Sequence, residues 1–144
     1  MLKLALEDEA SGAAVVAADD ALLSAMTPAV LNGLVVRHGA VLFRGAEGGL
    51  AAFKAFSSRC AREFSDYRGG GLRFGPLDRE AIGGDRTVLT VTGAGQAFAI
   101  PLHGEMQYLP EPPELLWFYC DRPPVDGGQT TYASAAAVER TLGD

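Results

Sequence analysis

The sequence is short of cysteine, histidine and clustered basic residues, and each shortage removes a class of function. Its two cysteines, Cys60 and Cys120, form no CxxC pair, so neither a thiolate metal site nor a disulfide framework is indicated. Both read as reduced core residues, Cys60 within a helical pattern and Cys120 at the end of an apolar run. Lys and Arg number 12 against 18 Asp and Glu, a net charge of −6 with no basic run, and that field repels a phosphate backbone. Nucleic acid is therefore excluded as an expected partner. No apolar stretch approaches the roughly 20 residues a membrane-spanning helix needs. Glu7, Asp8 and Glu9 stand where a secretory leader would carry basic residues, so a soluble, cytoplasmic protein is expected, with no membrane partner.

What is present is enough to fold. With 144 residues, of which 48% are hydrophobic and 21% charged, the chain has the size and apolar content of a single domain over residues 1–144 that buries a core. Of the 18 glycines and 8 prolines, twelve glycines and seven prolines lie from Gly69 onward, which predicts turns and short strands there rather than a helical bundle.

Thr27-Pro28 is a helix start, because Thr caps free amides and Pro at the next position loses no hydrogen bond. Val30, Leu31, Leu34 and Val35 recur at helical spacing, and Gly39 closes the last turn. Ala40 to Arg44 then reads as a short buried strand. A second helix places Leu50, Phe53, Phe56, Ser57, Cys60 and Phe64 on one side and leaves Lys54, Arg59 and Glu63 as a solvated face. From Asp66 onward the loops are glycine-rich, with Gly69-Gly70-Gly71 and Gly83-Gly84 around a β-branched strand from Thr87 to Thr92. Further strands are predicted at Gln96 to Leu102, Leu115 to Cys120 and Gln129 to Ala133, and a last helix at Ser134 to Leu142. Helices followed by closely spaced strands describe an α+β chain entering a β-sandwich or jelly roll, rather than a parallel βαβ sheet.

The glycine triplet lacks the Lys and Ser/Thr of a phosphate loop, and Gly93-Ala94-Gly95 lacks the third glycine of a dinucleotide fingerprint. The informative segment is Ile100-Pro101-Leu102-His103-Gly104-Glu105-Met106. On extended backbone, a spacing of two aims His103 and Glu105 to one face. Imidazole and carboxylate are two of the three ligands of a facial-triad iron site, which keeps positions open for a cosubstrate and oxygen. The plain alternative is a hydrogen-bonded structural histidine.

Context favours the metal. Tyr108, Pro112-Pro113, the apolar run Leu115 to Cys120, and Pro123-Pro124-Val125-Asp126-Gly127-Gly128-Gln129-Thr130 follow in order. The run from Ile100 to Ser134 resembles the metal-binding segment of the taurine dioxygenase-like family, including its clavaminate synthase-like and amino-acid hydroxylase branches. Gly39-Ala40-Val41-Leu42-Phe43-Arg44-Gly45 resembles that family's early strand. The resemblance implies a partial double-stranded β-helix, or jelly roll, preceded by N-terminal helices, and an iron(II)- and 2-oxoglutarate-dependent dioxygenase that hydroxylates a small substrate with molecular oxygen. It makes His103 and Glu105 iron ligands and Thr130 a contact to the 2-oxoglutarate carboxylate. Glu105 stands where Asp is commoner, which points to an amino-acid-derived substrate.

The family also uses a second histidine downstream, followed by an arginine for the far carboxylate of 2-oxoglutarate, and no histidine follows His103 here. His38, before Gly39, reads as a structural or surface residue. The expected organisation is thus the N-terminal portion of a dioxygenase domain, completed by further sequence, a complementing chain or a homo-oligomer. A short metal-free jelly-roll module or inactive remnant is the alternative, and a cupin-like metalloprotein would need more histidines. Arg68 and Arg73 flank the glycine loop within possible reach of an acidic substrate but read as ordinary loop arginines. Trp117, Phe118 and Tyr119 read as core, and Gln107 and Tyr108 as packing or pocket lining.

Overall fold

A computed structural model describes residues 13–65, 79–91, 101–128 and 130–143. The chain divides into two units, Met1–Arg62 with Trp117–Asp144, and Glu63–Leu116.

The first unit opens with a strand, β1 (Ala14–Ala17), and a short helix, α1 (Asp20–Ala25), neither of which the sequence pattern marks. Asp19 caps α1 by accepting from the Leu22 amide at 2.7 Å. Helix α2 (Pro28–His38) begins and ends where its punctuation places it. Thr27 Oγ1 accepts from the Val30 amide at 3.3 Å, and the Gly39 amide donates to Val35 O at 2.7 Å. Gly39 takes φ 75°, a conformation that selects glycine, and the Tyr132 hydroxyl lies against it.

Strand β2 (Val41–Arg44) pairs in parallel with β1, Ala14 opposite Val41 and Ala17 opposite Arg44. This corrects the expectation that parallel pairing is absent, since α1 and α2 make the crossover between two parallel strands. The strand escapes notice in the sequence because Ala14-Val15-Val16-Ala17 is too short to show a period. β2 is also less buried than predicted, alternating half-buried and exposed residues.

Helix α3 (Gly49–Cys60) buries Phe56, Ser57 and Cys60. Asp20 of α1 accepts from the Gly48 amide at 3.3 Å, which ties the start of α3 to the start of α1. The core joins Met26, Leu31, Phe56 and Cys60, with Leu22, Leu23, Val30, Leu34, Val35, Phe43 and Trp117 packed around them. Phe56 is its pivot: Phe43 and Trp117 meet it edge-on, with ring centroids at 5.5 and 5.7 Å. Arg59, predicted as plain solvated surface, instead spans to α1, donating to the Leu23 carbonyl and lying 5.6 Å over the Phe56 ring. Phe64 lies beyond the end of α3 and is exposed. The last helix, α4 (Ala135–Leu142), follows Ser134 as the sequence predicts.

The second unit contains a hairpin, β3 (Ala81–Ile82) and β4 (Asp85–Leu89), around Gly83-Gly84. Both glycines take positive φ, 63° and 77°, the geometry of the tight turns that match strand twist. This turn starts the second strand at Asp85, two residues before the predicted Thr87, and ends it at Leu89. Thr90 leaves the strand to close the hairpin's base. Its amide donates to Glu80 O and its hydroxyl accepts from the Glu80 amide, each at 2.9 Å.

Two predicted strands are not strands among the described residues. Leu115 to Cys120 pairs with no other segment among the described residues, and the same holds for residues 130–133. Apolar alternation supplies propensity, but a strand also needs a neighbour offering donors and acceptors in register. Alternation survives without it: Pro113, Leu115 and Trp117 are half-buried while Leu116 and Phe118 face outward. Phe118, Tyr119 and Cys120 are therefore not core, and all three are exposed. Tyr119 stacks on Phe53 with ring centroids 5.3 Å apart. Of Gln96 to Leu102, residues 96–100 lie outside the described residues, as do Gln129, Arg68, Arg73, Gly69-Gly70-Gly71 and Gly93-Ala94-Gly95. Pro101 and Leu102 belong to no strand. The described residues form mixed helix and strand with two small sheets and do not form a jelly roll. No helix among them is long and apolar enough to cross a membrane.

Candidate metal centre

His103 and Glu105 lie in the second unit, on a segment that turns rather than extends. Residues 101–104 adopt no regular structure, and a turn begins at Glu105, closed by the Leu109 amide donating to Met106 O at 3.0 Å. Strand geometry therefore does not align the two side chains. Proline at 101 removes a ladder donor, and Met106 has φ 53°, a left-handed conformation that breaks a strand and is unusual for a residue with a side chain. Met106 is buried, and its anchored side chain holds that conformation in place.

Each candidate ligand is oriented by its own partner. His103 Nδ1 lies 2.9 Å from the Pro101 carbonyl oxygen. A carbonyl only accepts, so Nδ1 carries the hydrogen and Nε2 of the neutral ring presents its lone pair outward. Ligating histidines are commonly held in this way, with one ring nitrogen donating to a fixed acceptor and the other on the metal. His103 is exposed, which leaves Nε2 open to approach. Glu105 is half-buried, with Oε2 3.5 Å from Arg79 Nη2. Gly104 lies under the side chain of Gln107, which occupies the place of a Cβ. Tyr108 is exposed.

Thr130 belongs to the first unit, exposed, two residues after Gly127-Gly128. Those glycines take φ 61° and 70°, and Gly128 packs against the Pro124 ring. His38 is the last residue of α2, half-buried beside Arg37, whose charge suits a helix C-terminus. Among the described residues no cluster of three or more His, Cys, Asp or Glu side chains forms.

The donor set suits iron in its chemistry: one imidazole with its tautomer fixed, one carboxylate and no thiolate, the combination that redox-active ferrous iron takes with positions left open. Arg79 is the residue that sequence reasoning missed. Within Asp78-Arg79-Glu80 it looks like ordinary mixed surface charge, and no local pattern marks it as the partner of a glutamate 26 residues on.

These features describe a protein of mixed helix and strand with an imidazole and a carboxylate two residues apart on one irregular segment. The profile of the taurine catabolism dioxygenase TauD, TfdA family matches residues 4–144, and the chain belongs to that family. Its members are iron(II)- and 2-oxoglutarate-dependent dioxygenases of jelly-roll fold that act on small molecules with oxygen. No curated protein and no solved structure matches the chain.

Proposed function

We propose that this chain is the N-terminal portion of an iron(II)- and 2-oxoglutarate-dependent dioxygenase that hydroxylates a small, amino-acid-derived substrate, in the clavaminate synthase-like or amino-acid hydroxylase branch. The observation that carries the reading is the Pro101–His103 hydrogen bond, which leaves Nε2 as a ligand two residues from a carboxylate. His103 and Glu105 bind the metal and Thr130 donates its hydroxyl hydrogen to a carboxylate of 2-oxoglutarate. Iron, when bound, supplies the oxidising chemistry that couples decarboxylation of 2-oxoglutarate to substrate hydroxylation. The chain's own residues orient these groups, while the third ligand and the 2-oxoglutarate arginine come from further sequence, a complementing chain or a second copy. The partial jelly roll, the single domain over residues 1–144 and a cytoplasmic location belong to the same proposal.

Anaerobic mixing of the purified chain with iron(II) and 2-oxoglutarate tests it. A visible charge-transfer band that disappears in His103→Ala supports the reading. A folded chain that gives no band sinks it for this polypeptide. A second reading, a metal-free module, is favoured by the ion pair of Arg79 with Glu105, which neutralises the carboxylate without a cation.

A further inference from the structure

We infer that Arg79 is a counter-ion latch on Glu105: its guanidinium holds the carboxylate in the cation-free protein and is displaced when a divalent cation takes the same group. The inference rests on the reading of Glu105 as a metal ligand. It goes beyond that reading by making Arg79 a positioning residue that sets how tightly the cation binds.

Both side chains are sheltered, Arg79 at 21% exposure and Glu105 at 18%, so their attraction is less screened than that of a surface pair. Neither is a loose arm. Arg79 directly precedes the hairpin base that the two Glu80–Thr90 hydrogen bonds close. Glu105 opens the turn fixed by Met106 and the Leu109 amide. The ion pair therefore joins two backbone anchors 26 residues apart.

A guanidinium only donates and an ionised carboxylate only accepts, so Arg79 and a cation compete for the same oxygens. Two cations on one carboxylate also repel each other. Arg79 Nη2 meets Glu105 Oε2 at 3.5 Å, long for a charge-assisted hydrogen bond, and a contact of that length yields to a divalent ion. The consequence is directional: Arg79 keeps Glu105 oriented without metal and weakens cation affinity.

Manganese(II) binding to the full chain, followed by calorimetry, is the test. Arg79→Gln should tighten binding by roughly tenfold, whereas Arg79→Lys, which keeps the charge, should stay within about twofold of the parent. In the unsubstituted protein, diamagnetic zinc(II) should shift the Arg79 Nε–H resonance as the guanidinium leaves Glu105, a readout that needs no variant to fold. The latch is overturned if Arg79→Gln binds manganese(II) no tighter while His103→Ala and Glu105→Gln lose it, or if zinc(II) moves the His103 ring resonances but not Arg79. If His103→Ala and Glu105→Gln bind manganese(II) like the parent, the ligand assignment falls instead.

Discussion

In the first unit, Met26, Leu31, Phe56 and Cys60 are sealed by seven further apolar side chains, and capped helices meet through hydrogen bonds that cross between elements. In the second, Met106 is the one buried apolar residue among those described, and the backbone is held by a two-residue turn, a hairpin base and an ion pair. Among the described residues, the apolar packing is concentrated in the unit that does not hold His103 and Glu105. The candidate ligands sit on an irregular segment beside buried Met106, an arrangement common for binding segments carried on loops.

The comparison breaks most easily at Phe56. Phe56→Ala removes the ring that Phe43, Trp117 and Arg59 all touch, and should cost about 3–5 kcal/mol in urea unfolding followed by the fluorescence of Trp117, the only tryptophan. A loss below about 1 kcal/mol would mean that the first unit is no better packed than the second. A smaller effect is expected at the hairpin. Gly84→Ala forces a side chain to φ 77°, at a cost of about 1–2 kcal/mol, and should speed hydrogen exchange of the Thr90 amide that closes the hairpin base. Unchanged exchange would show that the turn does not hold the base.

The two thiols sharpen the contrast at smaller scale. Exposed Cys120 should react with a disulfide reagent at neutral pH in the native protein, and buried Cys60 only on unfolding. Burial raises the Cys60 thiol above its ordinary range, partly offset by the Arg59 charge. A folded-state value above the unfolded one leaves stability intact below about pH 8.5 and lowers it as pH rises through the folded value. Cys60→Val should remove that alkaline decline, as measured by melting temperature against pH. A parent protein with no decline would show that the thiol is not desolvated.

Features fixed by local rules were legible in the sequence. Thr27-Pro28 and Gly39 bound α2, the apolar spacing marks α3, and Gly83-Gly84 stands at the hairpin turn, because capping and positive φ depend on a few neighbouring residues. β1 and α1 were too short for a periodic signal. Leu115 to Cys120 misled because strand pairing is a property of two segments, and sequence alternation reports only one. At the site, the residue types of His103 and Glu105 were legible. Their setting was not, since the turn depends on a left-handed Met106 and the pairing on a distant Arg79.

The central claim is that His103 and Glu105 ligate the iron, and X-ray absorption at the iron edge of the anaerobic chain with iron(II) and 2-oxoglutarate addresses it most directly. The account predicts light-atom coordination with an imidazole scattering signature and no sulfur, the imidazole signature vanishing in His103→Ala. Iron bound through sulfur, or an unchanged imidazole signature in that variant, would contradict it.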